Sequence, residues 1–195
     1  MQRKRNLNSD MIISVAATVI EESGYDNFTI RTLADALGVK PPSLYNHFDG
    51  LDEVKQKLAI YSVKMLGDAI RNAAVGRASE DAIREIAHAY RNFAKDKKEL
   101  YKAFTQVKQA QKSNDEAISF TNTLYQILQP FALSKDIENK FLMIFRTGIH
   151  GFVALENAGV FREANVSDAD IYFEELVEKQ VLILNSYKAE MSTEC

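Results

Sequence analysis

The sequence predicts an all-α protein in which an N-terminal three-helix domain, residues 1–50, precedes a C-terminal helical bundle, residues 51–195. Three prolines and eight glycines in 195 residues leave long stretches without any residue that would end a helix. Apolar residues form 46% of the chain, and most recur three and four positions apart, as on one face of a helix. A chain of this length and apolar content can bury a substantial core.

The first two predicted helices are short and have recognisable ends. The first runs from Ser9 to Ser23, and Gly24 is placed to end it in a left-handed conformation. The second runs from Ile30 to Leu37, with Thr29 as its N-cap and Gly38 after its last residue. Residue type therefore predicts both limits of the second helix.

A third short helix and a longer one come next. Pro41 and Pro42 favour a helix start, because the first-turn N–H groups that proline lacks have no partner within a helix. We expect this helix to run to about His47. From Leu51 the apolar spacing continues over a longer helix that ends near Gly76 and is expected to connect the two domains.

Serines mark the expected starts of the later helices. These serines are Ser79, Ser113 with Glu116 as a capping box, Ser134, and Ser167 with Asp170. The polar interval 108–114 is interpreted as a loop. The caps divide the C-terminal part of the chain into several further helices.

Two helices near the C-terminus are unusually apolar. Between Phe141 and Leu155 the only formally charged residue is Arg146, so this helix is expected to be buried on more than one side. The last helix, from Asp168 to about Tyr187, contains a similar apolar run. We expect the two helices to pair with those of a second copy in a four-helix bundle. The residues predicted for this dimer interface are Phe141, Phe152, Leu155, Leu176 and Leu184.

The segment from Phe28 to Phe48 has the pattern of a helix-turn-helix. Its apolar residues, Leu33, Ala34, Leu37, Val39, Leu44 and Phe48, occupy positions where two crossed short helices pack. Gly38 permits a tight turn, and Ala34 is small enough to let the helices approach. In such a motif the second helix enters the DNA major groove, so the polar positions between the apolar ones are candidate contacts.

This segment resembles the TetR family of regulators. The resemblance is carried by Thr29-Ile-Arg-Thr-Leu-Ala, Leu37-Gly-Val, Ser43-Leu-Tyr-Asn-His-Phe48 and Asp52-Glu-Val. It implies that Thr29 caps its helix beside a phosphate and that Tyr45 and His47 bind phosphate. It further implies DNA contacts by Arg31, Lys40, Pro41, Pro42 and Ser43; Asn46 is a contact or a merely solvated residue. Leu51 stands where many members have lysine, so the basic arm Arg3-Lys-Arg5 is the candidate replacement for that phosphate contact.

A second resemblance lies between Thr147 and Phe161. This segment is similar to the tryptophan-histidine-glycine group of TetR C-terminal domains, with Ile149 in place of the tryptophan. His150, between Gly148 and Gly151, is expected to mark close helix packing. The resemblance implies an effector-binding and dimerisation domain.

Aromatic residues are candidates for the wall of an effector pocket, although core packing is the ordinary role for such a set. The pocket residues predicted are Tyr90, Phe93, Phe104, Phe120, Tyr125 and Phe145. Tyrosine hydroxyls, Gln106, Asn122 and Gln126 could supply the few polar groups that such a pocket needs.

Composition argues against several other classes. The single cysteine, Cys195, has no partner for a disulfide, and no apolar run is long enough to cross a membrane. We therefore expect a cytoplasmic protein without a signal peptide. The net charge of −3 gives no hint of a polyanionic partner, although a local basic patch could still bind one. No arrangement typical of a nucleophile, a metal site or a phosphate loop is present, so we expect neither an enzyme nor a cofactor.

These observations favour a DNA-binding transcriptional regulator. We expect a homodimeric repressor that binds a palindromic double-stranded operator. A small-molecule effector is expected to release it from the DNA. One alternative is a helical ligand-binding or protein-interaction module whose DNA-binding head is degenerate, because Leu51 replaces a basic residue. The other is a helical enzyme using His88 or His150, for which the sequence supplies no supporting pattern.

Overall fold

The computed structural model describes residues 7–77, 79–106, 115–163 and 168–193, and the side chains of residues 79, 115–120, 163 and 190–193 are outside that description. All regular structure in the described ranges is helical, which confirms the predicted all-α class. The α-helices are α1 Ser9–Ser23, α2 Ile30–Leu37, α3 Leu51–Ala74, α4 Ser79–Asp96, α5 Lys98–Gln106, α6 Asp115–Leu128, α7 Lys135–Asn157, α8 Val160–Glu163 and α9 Ala169–Thr193. Short 3₁₀ helices span Pro41–Asn46 and Gln129–Phe131.

The predicted helix ends are confirmed most closely in the first part of the chain. Helices α1 and α2 have the predicted limits, and the Ser134 side chain accepts a hydrogen bond from the Ile137 N–H, as expected of an N-cap. The cap of α9 differs from the prediction, because the Asp168 carboxylate accepts from the N–H groups of Asp170 and Ile171. Ser167, the predicted cap, lies outside the described residues, as do Ser113 and the interval 108–114.

The chain folds into two compact units whose limits differ from the predicted boundary at residue 50. The first unit falls within residues 1–65 and 97–117, and the second within residues 66–96 and 118–195. The larger part of α3, residues 51–65, and all of α5 therefore belong with the N-terminal helices. Helix α3 is continuous across residues 65 and 66, where the first unit's residues end and the second unit's begin.

Polar contacts made by α5 explain why it belongs to the first unit. The Glu21 carboxylate on α1 accepts a hydrogen bond from the Leu100 N–H at 2.9 Å, which satisfies a first-turn donor of α5. The Glu99 carboxylate accepts from the Tyr25 N–H just beyond α1 at 2.8 Å. Each contact joins residues more than 70 positions apart, so local sequence patterns could not predict them.

The core of the second unit centres on α7 and α9, which pack closely against each other. Phe141, Phe173 and Leu184 are fully buried there. A Cβ atom at position 148 would lie only 2.9 Å from the Gln180 amide nitrogen, so the glycine permits the close approach of the helices. The predicted interface role of Phe141 and Leu184 is corrected accordingly, because both side chains are enclosed by their own chain and offer no surface to a partner.

An ion cluster joins α4 to α7 and α9 within the second unit. The Arg91 guanidinium donates to both carboxylate oxygens of Glu156, at 2.9 and 2.5 Å, and lies 2.7 Å from Asp170. Its other neighbours are aromatic, since the Phe173 ring centroid is 4.5 Å away. Lys95 also reaches Glu156, at 3.2 Å. Burial raises the pKa of Glu156, but the hydrogen bonds and charges of Arg91 and Lys95 outweigh burial and leave it below its usual value.

The single histidine of α7 is half-buried and gives the second unit a pH dependence. His150 Nδ1 lies 3.0 Å from the Tyr90 hydroxyl, and burial, aided by the charge of Arg146, lowers the pKa of His150. The unfolded chain, with an imidazole pKa of about 6.5, therefore binds more protons than the folded chain as pH falls. This contribution to stability is complete above that pKa and is lost as pH decreases through it.

We expect the free energy of unfolding to fall more between pH 7.5 and pH 5.5 for the parent protein than for a His150→Gln variant. Urea denaturation at the two pH values measures this difference, and every other titratable group is present in both proteins. Parallel losses in the two proteins would contradict the assignment.

Candidate nucleic-acid interface and a cavity in the second unit

Helix α2 begins with a reciprocal cap. The Thr29 hydroxyl accepts a hydrogen bond from the Thr32 N–H at 3.1 Å, and the Thr32 hydroxyl accepts from the Thr29 N–H at 3.0 Å. Both donors would otherwise lack a partner within the helix. The predicted N-cap role of Thr29 is confirmed, and the helix start on which the exposed Arg31 stands is firmly fixed.

We expect Thr29→Ala to lower the free energy of unfolding by about 1 kcal/mol, because alanine lacks the hydroxyl that accepts the Thr32 N–H bond. The Thr29 side chain is exposed, so the substitution removes little packing. Thermal denaturation followed by circular dichroism measures this change. Thr18→Ala is the matched control, since Thr18 lies inside α1 and alanine favours helix interiors. Equal effects of the two substitutions would show that the cap contributes nothing.

The turn after α2 depends on Gly38. This glycine has φ +69°, a left-handed conformation that side chains with a Cβ rarely adopt. The Val39 N–H then donates to the Ala34 carbonyl at 3.0 Å, which closes the end of α2. The chain is thereby redirected into the next helix within a few residues, as the helix-turn-helix pattern predicts.

The third short helix is a 3₁₀ helix, Pro41–Asn46, and is not the α-helix typical of a recognition element. The Ser43 N–H donates to the Lys40 carbonyl and the His47 N–H to the Leu44 carbonyl, each at 2.9 Å and each three residues apart. Pro41 and Pro42 lack the N–H groups that further bonds would need. The predicted start is confirmed, whereas the helix type differs.

The predicted DNA contacts divide into exposed and partly covered groups. Thr29, Arg31, Lys40, Pro42, Tyr45 and Asn46 are exposed, and Pro41, Ser43 and His47 are half-buried. The exposure of Tyr45, 58%, is high for a tyrosine in a folded unit. Because α2 and the 3₁₀ helix are in contact, the structure brings these side chains together on adjacent elements. Leu44 and Phe48 are buried beneath them and hold the 3₁₀ helix in place.

The first turn of α3, residues 51–54, contains no lysine. Leu51 is half-buried, and the Glu53 carboxylate accepts a hydrogen bond from the Asp49 N–H at 2.7 Å. The basic arm Arg3-Lys-Arg5 lies outside the described residues. Its proposed contact with phosphate stays a prediction.

The second unit contains a cavity of about 420 Å³. Its apolar lining consists of Ala74, Val75, Ala82, Ile127 and Pro130. Its polar lining consists of Arg71, Arg77, Thr123 and Gln126. Of the polar residues that sequence reasoning suggested for a pocket, Gln126 is the one at this cavity. The two arginines had no signal in the sequence, because isolated arginines near a helix end are ordinary surface residues.

None of the five predicted aromatic residues whose side chains are described lines this cavity. Tyr90, Phe93, Phe104 and Phe145 are buried as core residues, and Phe104 belongs to the first unit. Tyr125 is half-buried, donates its hydroxyl proton to Asn139 and lies under the Lys135 ammonium. The side chain of Phe120 is outside the described residues. The structure thus places the described rings outside this cavity, and their role in an effector site stays a prediction.

No helix in the described ranges is both long and apolar enough to cross a membrane. Among the same described residues, no three histidine, cysteine or acidic side chains are grouped so that they could hold a metal ion.

Two family profiles match the chain. Residues 12–54 match the bacterial regulatory proteins of the tetR family, and residues 83–180 match the tetracyclin repressor-like C-terminal domain. The first match includes the whole helix-turn-helix, and the second runs from within α4 to about the middle of α9.

Curated relatives are similar over different lengths. An HTH-type transcriptional regulator of Mycobacterium tuberculosis is 29% identical over 178 residues, which are 90% of this chain and 80% of that protein. YobS, an HTH-type transcriptional regulator of Bacillus subtilis, is 31% identical over 53% of this chain and 54% of its own. The negative regulator IcaR of the Staphylococcus aureus biofilm operon is 38% identical over 32% of each chain.

Solved structures share the fold at low identity. TetR from Acinetobacter baumannii superposes with a TM-score of 0.74 and 16% identity, covering 94% of this chain and 99% of its own. ActR from Streptomyces coelicolor gives a TM-score of 0.72 and 16% identity, covering 97% of this chain and 100% of its own. A TetR variant from A. baumannii in complex with minocycline gives 0.64 and 18% identity, covering 96% and 98%.

Proposed function

Because this chain belongs to the TetR family of DNA-binding transcriptional regulators, we propose that it is a repressor that binds a palindromic operator as a homodimer. A small-molecule effector releases it from the DNA. Such a protein acts in the cytoplasm, where the chromosome lies. It represses transcription by occupying the operator, which needs no catalytic group.

The observation that carries this proposal is the exposed polar surface of the helix-turn-helix. Arg31 and Lys40 provide cations, and Tyr45 provides a hydroxyl, on two elements whose apolar sides are buried. Phosphate contacts of this kind fix the position of a protein on DNA, and contacts to base edges give sequence preference. A helix-turn-helix that no longer bound DNA would have no physical need to keep a large tyrosine such as Tyr45 exposed to water.

Dimerisation through α7 and α9 is supported by apolar side chains that this chain leaves exposed. Met143 and Leu155 on α7, and Tyr172 and Leu182 on α9, have exposed fractions of 47–67%. Leucine, methionine and tyrosine at this exposure on two packed helices offer apolar surface that a second copy would cover. Phe152 and Leu176, also predicted for the interface, are half-buried, so part of each side chain stays accessible to a partner.

We expect a Met143→Glu, Leu182→Glu variant to be monomeric, because pairing would bury its new carboxylates against apolar side chains. Light scattering coupled to size-exclusion chromatography measures the mass. Val75→Glu is the control, since Val75 is exposed but lies outside α7 and α9. If the double variant keeps a dimeric mass, the two chains pair through another surface.

A dimer with one helix-turn-helix in each chain requires two half-sites in the DNA. Their centres would be separated by about 34–36 Å or a multiple, one turn of the DNA helix, so the operator would be a palindrome. Release by an effector is supported by the relative from A. baumannii that holds minocycline. The coupling between effector and DNA is bounded by the difference in effector affinity between the two conformations, typically about 1–3 kcal/mol.

The experiment that tests this function is selection of bound fragments from the source genome by the purified protein, at two salt concentrations. Enrichment of one palindrome, reduced at high salt and by an Arg31→Ala, Tyr45→Phe variant, is the expected result. Enrichment of unrelated fragments with the same salt dependence for protein and variant would contradict sequence-specific binding.

A further inference from the structure

We propose that the cavity of the second unit is the effector site and that the effector is an amphipathic organic anion, an apolar body carrying a carboxylate or similar acid group. The inference rests on the proposed function, which requires an effector, and adds the chemical class that the cavity selects. It is drawn from the charges of the lining, its apolar surface and the helix end to which it belongs.

The charged groups among the described lining residues of the cavity are both cationic. Arg71 and Arg77 line the cavity, whereas their acidic partners Asp68 and Glu85 do not. The guanidinium groups remain within reach of a solute, since the side chains of Arg71 and Arg77 are 38% and 42% exposed. Among the described lining residues, a carboxylate in the cavity would therefore meet two positive charges and no negative one.

Arg77 is held in position for this role. Its Nη1 donates to the Ala73 carbonyl at 3.0 Å, and its Nη2 lies 3.5 Å from the Glu85 carboxylate. An exposed ion pair of this kind contributes little, so an incoming acid group can compete with Glu85. Guanidinium groups bind carboxylates with two parallel hydrogen bonds, which lysine cannot reproduce.

The remainder of the lining favours an apolar body. Val75 and Ile127 offer aliphatic surface, while the hydroxyl-bearing Thr123 is itself buried. The volume of about 420 Å³ lies within the range of small-molecule sites. A fully polar anion would leave this aliphatic surface exposed to water. A neutral apolar molecule would make no ion pair with Arg71 or Arg77.

The position of the cavity on α3 supplies a route from effector to DNA. Arg71 and Ala74 lie in the last turn of α3, a continuous helix that begins at Leu51, directly after the helix-turn-helix. An anion that holds Arg71 and Arg77 together would favour one position of that helix end. The shift in DNA affinity equals the difference in anion affinity between the two positions.

Calorimetric titration of the full chain with three probes of equal length tests the class: octanoate, 1-octanol and octyltrimethylammonium. We expect octanoate to bind at least tenfold more tightly than the other two. An Arg71→Gln, Arg77→Gln variant should bind octanoate at least tenfold more weakly, and an Arg71→Glu, Arg77→Glu variant should prefer the cation. The matched control is Arg146→Gln, Arg162→Gln, which removes two exposed arginines of the second unit outside the cavity and should leave octanoate binding unchanged.

Equal affinity for the three probes, no octanoate binding, or an equal loss in the matched control would each overturn the inference. Val75→Trp, which narrows the cavity without touching a charge, should also weaken octanoate and gives a second independent measurement. Operator binding is measured on the same proteins without a probe. Salt-dependent operator binding without octanoate binding would contradict the proposed effector class and support the proposed regulator function. Octanoate binding without operator binding would support the effector class and contradict the regulator function.

Discussion

Arg91→Ala is expected to lower the free energy of unfolding by about 3 kcal/mol, because it leaves the Glu156 carboxylate, whose side chain is only 15% exposed, without its main partner. Lys95, 3.2 Å from Glu156, keeps the loss at the lower end of the range for broken buried pairs. Urea denaturation of the parent and the variant at neutral pH measures the difference.

Arg84→Ala is the matched control for this prediction. Arg84 also binds both oxygens of a carboxylate, that of Glu178, at 2.6 and 3.1 Å. Its side chain is 30% exposed, compared with 6% for Arg91, so water replaces the lost bond and the expected cost is about 1 kcal/mol or less. A double variant, Arg91→Met with Glu156→Gln, should recover part of the loss, because no unpaired charge is then buried. Equal losses for Arg84→Ala and Arg91→Ala would show that burial does not govern the strength of these pairs.

Arg31→Ala combined with Lys40→Ala is expected to weaken operator binding about 100-fold, since each contact to a base or phosphate contributes about 1–3 kcal/mol. Both side chains are exposed on the helix-turn-helix, so the unfolding transition should stay unchanged. If either cation contacts phosphate, the slope of log affinity against log salt concentration should also become shallower by about one for each such contact. Fluorescence anisotropy with the selected operator, at several salt concentrations, measures both quantities.

A charge-matched control separates contact from general electrostatics. Lys64→Ala with Lys98→Ala removes the same formal charge from exposed positions of the first unit that lie outside the helix-turn-helix. We expect that variant to bind the operator within about twofold of the parent, because exposed charges more than a Debye length away, about 10 Å, are screened. Equal losses in the two double variants would assign the effect to net charge alone.

Local signals in the sequence were sufficient where structure is set by neighbours along the chain. Thr29 and Gly38 determine the ends of α2 through bonds to residues only a few positions away, and Pro41 marks the next helix start. The head and its candidate DNA contacts could therefore be predicted in residue detail. The 3₁₀ geometry of Pro41–Asn46 could not, because proline is equally suited to the first turn of either helix type.

Features set by distant residues could not be predicted in this way. The helix from Phe141 to Leu155 is apolar on most sides, so its pattern does not distinguish a face turned to its own chain from one turned to a partner. The structure resolves this by burying Phe141 and exposing Met143. The cavity likewise depends on the space that α3, α4 and α6 leave between them, a property that no single stretch of sequence encodes.

The interrupted path of the chain through its first unit also constrains how the protein is made. A ribosome releases residues 1–65 first, but the partners of Glu21 and Tyr25 at Leu100 and Glu99 emerge only after α4 has been synthesised. The DNA-binding head therefore cannot complete its fold during translation until residues assigned to the other unit have already left the exit tunnel. For the same reason, proteolysis at any one peptide bond cannot release the first unit free of the second, because residues 66–96 lie between its two segments.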